Sequence, residues 1–230
     1  MDFAATAILE PQGAISVGRT RRDLVELLVG YALILVVIWT PRPWQRLSYA
    51  VAAAFLAVVL WTAWPGRRAM GLQRANFVRS LWVVGVALVA AAIAILVAAR
   101  LQTLHPVGSP LLFIQRYAGY AIGACMQQFL LQDYFLPRLM RLTRGPIAAA
   151  LTTAAMFSLA HLPNPILTVL TFFWGFSACL LFLRYRNLYT LCIAHAILGI
   201  TVALVVPGPA IRNMRVGRGY ITYASHHRNH

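Results

Sequence analysis

The sequence predicts an all-α fold: a polytopic transmembrane helix bundle of about seven spans. Hydrophobic residues fill 60% of its 230 positions and charged ones only 11%, against roughly 25% charged in an ordinary soluble domain. The apolar residues also gather into runs close to the length a helix needs to cross the hydrocarbon core, about 20 residues. A third observation orients the bundle. All 20 basic residues are Arg, and they cluster between the apolar runs.

The elements follow in order. Residues 1–23 form an acidic and Arg-bearing arm, read as a short cytoplasmic segment. The first apolar run begins only near Leu24, later than the hydrophobic region of a cleavable signal peptide. Seven apolar segments are expected, at about 24–40, 48–64, 81–99, 110–135, 146–162, 165–183 and 188–206. The first, second and fifth are short and need flanking residues or local thinning of the bilayer to span it. Pro65, Pro110, Pro137, Pro146 and Pro165 stand at segment ends, where helices start or stop. Residues 24–206 therefore make the bundle, and 207–230 a basic tail.

An amino terminus on the cytoplasmic side puts twelve Arg inside: Arg19, Arg21 and Arg22, Arg67, Arg68, Arg74 and Arg79, Arg138, Arg141 and Arg144, then Arg184 and Arg186. Only Arg42, Arg46 and Arg100 fall in the outside loops. The positive-inside rule favours that orientation, in a bacterial inner membrane. It leaves the tail's Arg212, Arg215, Arg218 and Arg228 outside. Either the tail is tolerated there or one apolar segment is re-entrant, with Leu162-Pro163-Asn164 the place to look. The formal charge of +15 is read as membrane anchoring, so no nucleic-acid partner is expected.

Acids are scarce. Asp2, Glu10, Asp23 and Glu26 lie in the first 26 residues, and Asp133 is the only other one. Asp133 is expected near the cytoplasmic interface, beside Arg138 or Arg141. Cys125, Cys179 and Cys192 all fall in apolar stretches without a CxxC, and read as small buried hydrophobes rather than disulfide or zinc ligands. Two neutral His without a nearby acid or thiolate make a poor zinc site. No metal and no cofactor are expected. The His226-His227 and His230 tail implies no metal function.

Three polar insertions interrupt the apolar carboxy-terminal half: Gln127-Gln128-Phe-Leu-Leu-Gln132, Phe157-Ser-Leu-Ala-His161 and His195-Ala-Ile-Leu-Gly199. Polar side chains at membrane depth are costly unless they face a partner or a wet cavity. Gln128 and Gln132 are four apart and share a helical face. Gln127 lies about 100° from Gln128, and with Arg116 and Tyr120 it extends a polar stripe expected to face the interior. Helix–helix hydrogen bonding by Gln, worth about 1 kcal/mol, is the plainer alternative to a functional cavity. His161 and His195, on later segments, point to a shared site in which Gln127, Gln128, His161 and His195 converge.

In order and spacing these motifs resemble those of the CAAX protease and bacteriocin-processing (CPBP) family of intramembrane glutamic proteases: Glu-Glu-x-x-x-Arg, Phe-x-x-x-His and His-x-x-x-Asn. Phe173-Trp-Gly175 and Arg184-Tyr-Arg186-Asn187-Leu188 extend the likeness, which covers roughly 110–205. The resemblance implies a first Glu and a middle His that activate water, and a last His and Asn that stabilise the oxyanion. Those positions are Gln127, His161, His195 and Gly199 here, with Gln128 at the second acid, Gln132 at the Arg, and Phe157 kept. A glutamine amide cannot accept the proton of water, although it can orient one. The resemblance thus implies an intramembrane endopeptidase acting on a membrane-associated protein or peptide. The replaced glutamates leave open a silent relative that binds such a partner as chaperone, immunity factor or assembly protein.

Overall fold

The computed structural model describes residues 17–105 and 107–226. The first 16 residues of the arm, with Asp2 and Glu10, and residues 227–230 of the tail lie outside the described residues. The described residues form helices and no strand: α1 (Val17–Trp39), α2 (Arg42–Thr62), α3 (Phe77–Arg100), α4 (Pro110–Phe129), a π-helix (Leu130–Phe135), α5 (Leu136–Leu142), α6 (Pro146–Leu159), α7 (Pro165–Tyr185), α8 (Leu188–Val205), and the short α9 (Gly208–Ile211) and α10 (Gly217–His226). Each of the seven apolar segments contains one of the longer helices. Pro110, Pro146 and Pro165 open α4, α6 and α7, where the missing N–H costs nothing.

Four helices, α2, α3, α7 and α8, are long and apolar enough to cross a membrane, while α6 is apolar but shorter at 14 residues. Charged groups in the first half of α1, and Arg116 with the Gln pair in α4, set those two apart. Apolar side chains cover the outside: Val58, Val78, Leu96, Leu111, Ile122 and Phe173 are exposed. Trp39 and Trp44 are exposed near the α1–α2 turn, and Trp61, Trp64 and Trp82 toward the opposite ends of α2 and α3, as interfacial aromatic belts require. The chain is an integral membrane protein.

The segment at 110–135 departs from a simple helix. Leu136 N–H bonds the Leu131 carbonyl five residues back, the π pattern. Pro137 follows directly; it has no N–H for the carbonyl four residues before it, and its ring crowds that carbonyl. The wider turn accommodates this, and helix then continues as α5 to Leu142.

Apolar contact with lipid is no worse than apolar contact with a neighbouring helix, so membrane bundles hold together by close packing of small residues. α6 and α7 do this with Ala149, Ala150 and Ala154 against Gly175, Ala178 and Cys179, all buried. α8 packs against both α3 and α4.

Polar groups tie the ends. Asn164 and Asn187 work alike: each is fully buried, caps a helix and staples a distant loop. Asn164 Oδ1 accepts from Leu167 N at 3.2 Å while its amide donates to the Ile211 and Arg215 carbonyls at 2.8 and 3.1 Å. Asn187 Oδ1 accepts from Thr190 N, and its amide donates to the Gln73 and Ala75 carbonyls at 3.1 and 3.2 Å. The Leu162–Asn164 turn thus anchors the start of the basic tail, and Gly217 N also bonds the Leu162 carbonyl at 2.9 Å.

The opposite end carries the ion pairs. Arg138 donates to Glu26 Oε2 at 2.6 Å, and Arg141 to both Asp23 oxygens at 2.6 Å. The expected pairing of Asp133 with Arg138 or Arg141 is therefore corrected. Acids of α1 take both guanidinium groups, and the π-helix carries Asp133 into the interior, where all of Leu131–Phe135 is buried.

Burial raises the pKa of the Asp23 carboxyl, but hydrogen bonding and charge from Arg141, with Arg138 and Arg19 nearby, outweigh it and hold it below the ordinary value. A lowered folded-state pKa contributes stability above the unfolded value, about 4, and loses it as pH falls through the folded value. Asp23→Asn should lower the unfolding temperature in detergent at pH 7. The gap from wild type should close as pH falls below about 4. A gap that persists unchanged at low pH would show that the carboxylate charge is not the source.

Candidate active site

The centre of the bundle holds a chain of polar groups from three elements. Gln132, in the π-helix, donates from Nε2 to Gln128 Oε1 at 3.4 Å. That leaves the Gln128 amide nitrogen to donate to His195 Nδ1, 3.2 Å away on α8. Both glutamines are fully buried and His195 is buried. With Nδ1 accepting, a neutral His195 carries its proton on Nε2 and is a donor there.

His161 follows the end of α6 and is half-buried. Its Nδ1 lies 2.8 Å from the Phe157 carbonyl one turn back. A carbonyl only accepts, so Nδ1 carries the proton and Nε2 keeps its lone pair. The Phe157 ring stands edge-on to both imidazoles, with centroids 4.8 Å from His161 and 6.1 Å from His195. His161 is left with an acceptor nitrogen, whereas the His195 ring also lies against the Ala124 backbone carbonyl.

Glycine makes room for these rings. A Cβ on Gly175 would meet Phe157 Cδ1 at 3.1 Å and Ala154 Cα at 3.4 Å, so the small residue lets α7 approach α6 and seats the ring. A Cβ on Gly199 would overlap the Tyr120 hydroxyl and lie 2.8 Å from its Cε1. Gly199 is one turn beyond His195 on α8, so a phenol from α4 fills the space of a side chain there. The Tyr120 hydroxyl has no hydrogen-bond partner among the described residues.

Not every expected member joins. Gln127 is exposed, as is Arg116. The face α4 turns inward is Tyr117, Ala124 and Gln128, so the proposed stripe of Arg116, Tyr120 and Gln127 does not point into the bundle as a unit. The physical reason is the 100° between adjacent helical positions: burying Gln128 and Ala124 turns Gln127 away. The structure brings together Gln128, Gln132, Phe157, His161, His195 and, through Tyr120, Gly199. It leaves out Gln127.

Trp174 joins unannounced by its spacing. Its ring lies 5.8 Å from that of His195, and its indole Nε1 is buried without a partner among the described residues, as are Gln132 Oε1 and Asp133 Oδ2. Native proteins leave few such atoms unpaired, and ordered water is their usual partner. An indole beside Gly175 in an apolar helix was the available sequence signal. Among the described residues no set of three His, Cys, Asp or Glu could hold a metal ion.

Residues 109–201, from the start of α4 into α8, match the family model described as type II CAAX prenyl endopeptidase Rce1-like. That stretch is the one whose three motifs resemble the CPBP group of membrane proteases, and it contains every residue of the polar cluster. No curated protein and no solved structure matches the chain.

The Gly199–Tyr120 contact is testable. Gly199→Ala should destabilise by about 1–3 kcal/mol through overpacking, and by clearly less in a Tyr120→Leu background, since residues in contact are not additive. Thermal unfolding of the four proteins in one detergent measures the coupling. Additive effects would mean that the phenol does not fill that space.

Proposed function

We propose that the chain is a membrane peptidase of reduced activity, acting on a membrane-associated protein or peptide, with His161 as its water-activating base. The observation that carries this reading is the His161 Nδ1···Phe157 carbonyl contact of 2.8 Å, which leaves His161 Nε2 as a proton acceptor. In this mechanism His161 Nε2 takes a proton from water as the oxygen attacks the peptide carbonyl. The oxyanion meets N–H of His195 and O–H of Tyr120, and His161 returns the proton to the leaving amine. Gln128 and Gln132 orient His195 and take no proton. A positioned base is worth typically 10²–10⁴-fold, so a lone imidazole in place of a carboxylate–imidazole pair gives a slow enzyme. The Arg distribution supports a cytoplasmic amino terminus in a bacterial inner membrane, and the apolar runs support a bundle at 24–206 between an arm and a basic tail.

A second reading has its own observation. Gln128, an amide, occupies the hydrogen-bonding position against His195, and no carboxylate bonds either imidazole among the described residues. A silent pocket that binds the same class of peptide follows if His161 alone is too weak a base.

One experiment separates them. Full-length protein in detergent is incubated with a library of membrane-derived peptides, and cleavage and retention are both measured for wild type and His161→Ala. Slow cleavage by wild type that falls at least 10²-fold in the variant supports the peptidase. Retention without cleavage in both overturns it in favour of the binding protein.

A further inference from the structure

The cysteines read from sequence as inert, and for Cys179 the structure agrees: it is buried in α7 and has no thiol partner. Cys125 and Cys192 differ. Cys125 is on α4 and exposed, Cys192 on α8 and partly buried, and their sulfurs are 2.8 Å apart. A disulfide bond is about 2.0 Å long, so less than an ångström of movement separates two thiols from a bond. The two helices are already held in register at neighbouring points, by Gln128 on His195 and by Tyr120 in the space at Gly199. Cys125 precedes Gln128 by one helical turn, and Cys192 precedes His195 by one turn.

We infer that Cys125 and Cys192 are a reversible dithiol–disulfide pair that ties α4 to α8 beside the polar cluster. Cys125, on the outer face of α4, is the thiol that a membrane-permeant disulfide meets first. Its sulfur attacks one sulfur of an external disulfide and breaks that bond, releasing one thiol and leaving a mixed disulfide on Cys125. The sulfur of Cys192 then displaces the second thiol. Two protein thiols are oxidised to one disulfide and one external disulfide is reduced to two thiols, with both protons passing to the released thiols. The bond fixes the distance between the helices that carry Gln128 and His195, making the pocket responsive to redox state.

The test uses the full-length protein in detergent, reduced first with a phosphine, and an uncharged dipyridyl disulfide as oxidant. Wild type is expected to release two equivalents of thiopyridone and retain no pyridylthio group by intact mass. It should keep a single alkylatable thiol after denaturation, Cys179, and regain three on reduction. Cys125→Ser should form no internal bond, and oxidised wild type should unfold at a higher temperature than reduced. A wild type that holds the mixed disulfide on Cys125, leaves Cys192 alkylatable, or joins two chains instead would overturn the inference. These readouts are of mass and thiol content, so they stand apart from whether the pocket cleaves peptides.

Discussion

In a hydrocarbon surrounding, a polar group that finds no partner inside the protein costs several kcal/mol, and the architecture here follows from that constraint. At one end Asp23 and Glu26 meet Arg141 and Arg138. At the other Asn164 gathers the α6–α7 turn and the start of the tail. Between them Gln132, Gln128 and His195 hydrogen-bond in series from the π-helix through α4 to α8. Helices whose surfaces are otherwise interchangeable with lipid acquire a register from these few contacts.

Small residues let the polar contacts close. Ala154 and Gly175 bring α6 and α7 near enough to hold Phe157 between the histidines, and Gly199 admits Tyr120. The same economy explains why the cluster sits where four helices meet rather than in an open groove. A ring needs walls to fix its orientation, and only closely packed backbones supply them at this depth.

The chemistry shifts accordingly. A carboxylate at the head of this cluster would be base and charge partner for an imidazole; an amide is neither, but it hydrogen-bonds at no charge cost. Gln at this position avoids the expense of burying a charge. What stays is a neutral site in which the tautomers of two histidines are set by a carbonyl and an amide. Asp133, carried inward by the π-helix, hydrogen-bonds neither of them among the described residues and does not replace the missing acid.

The positions of the longer helices were legible from the sequence because the length and apolarity of a span are local properties: all seven apolar segments contain helices, and Pro110, Pro146 and Pro165 mark the starts of three; the short α5, α9 and α10 were not. The motifs carrying the family likeness were legible too, since His161, His195 and Gln128 are polar where polarity is costly. Tertiary structure alone decided which neighbour on a helix faces inward. One residue of rotation separates Gln127 from Gln128, and the packing of Ala124 and Tyr117 settles it. It alone turned Asp133 inward, through a backbone bond between Leu136 and Leu131 that no side-chain pattern encodes. And it alone matched Tyr120 to Gly199 and Cys125 to Cys192, because contacts between helices far apart in sequence depend on their crossing and register, which only the folded chain possesses.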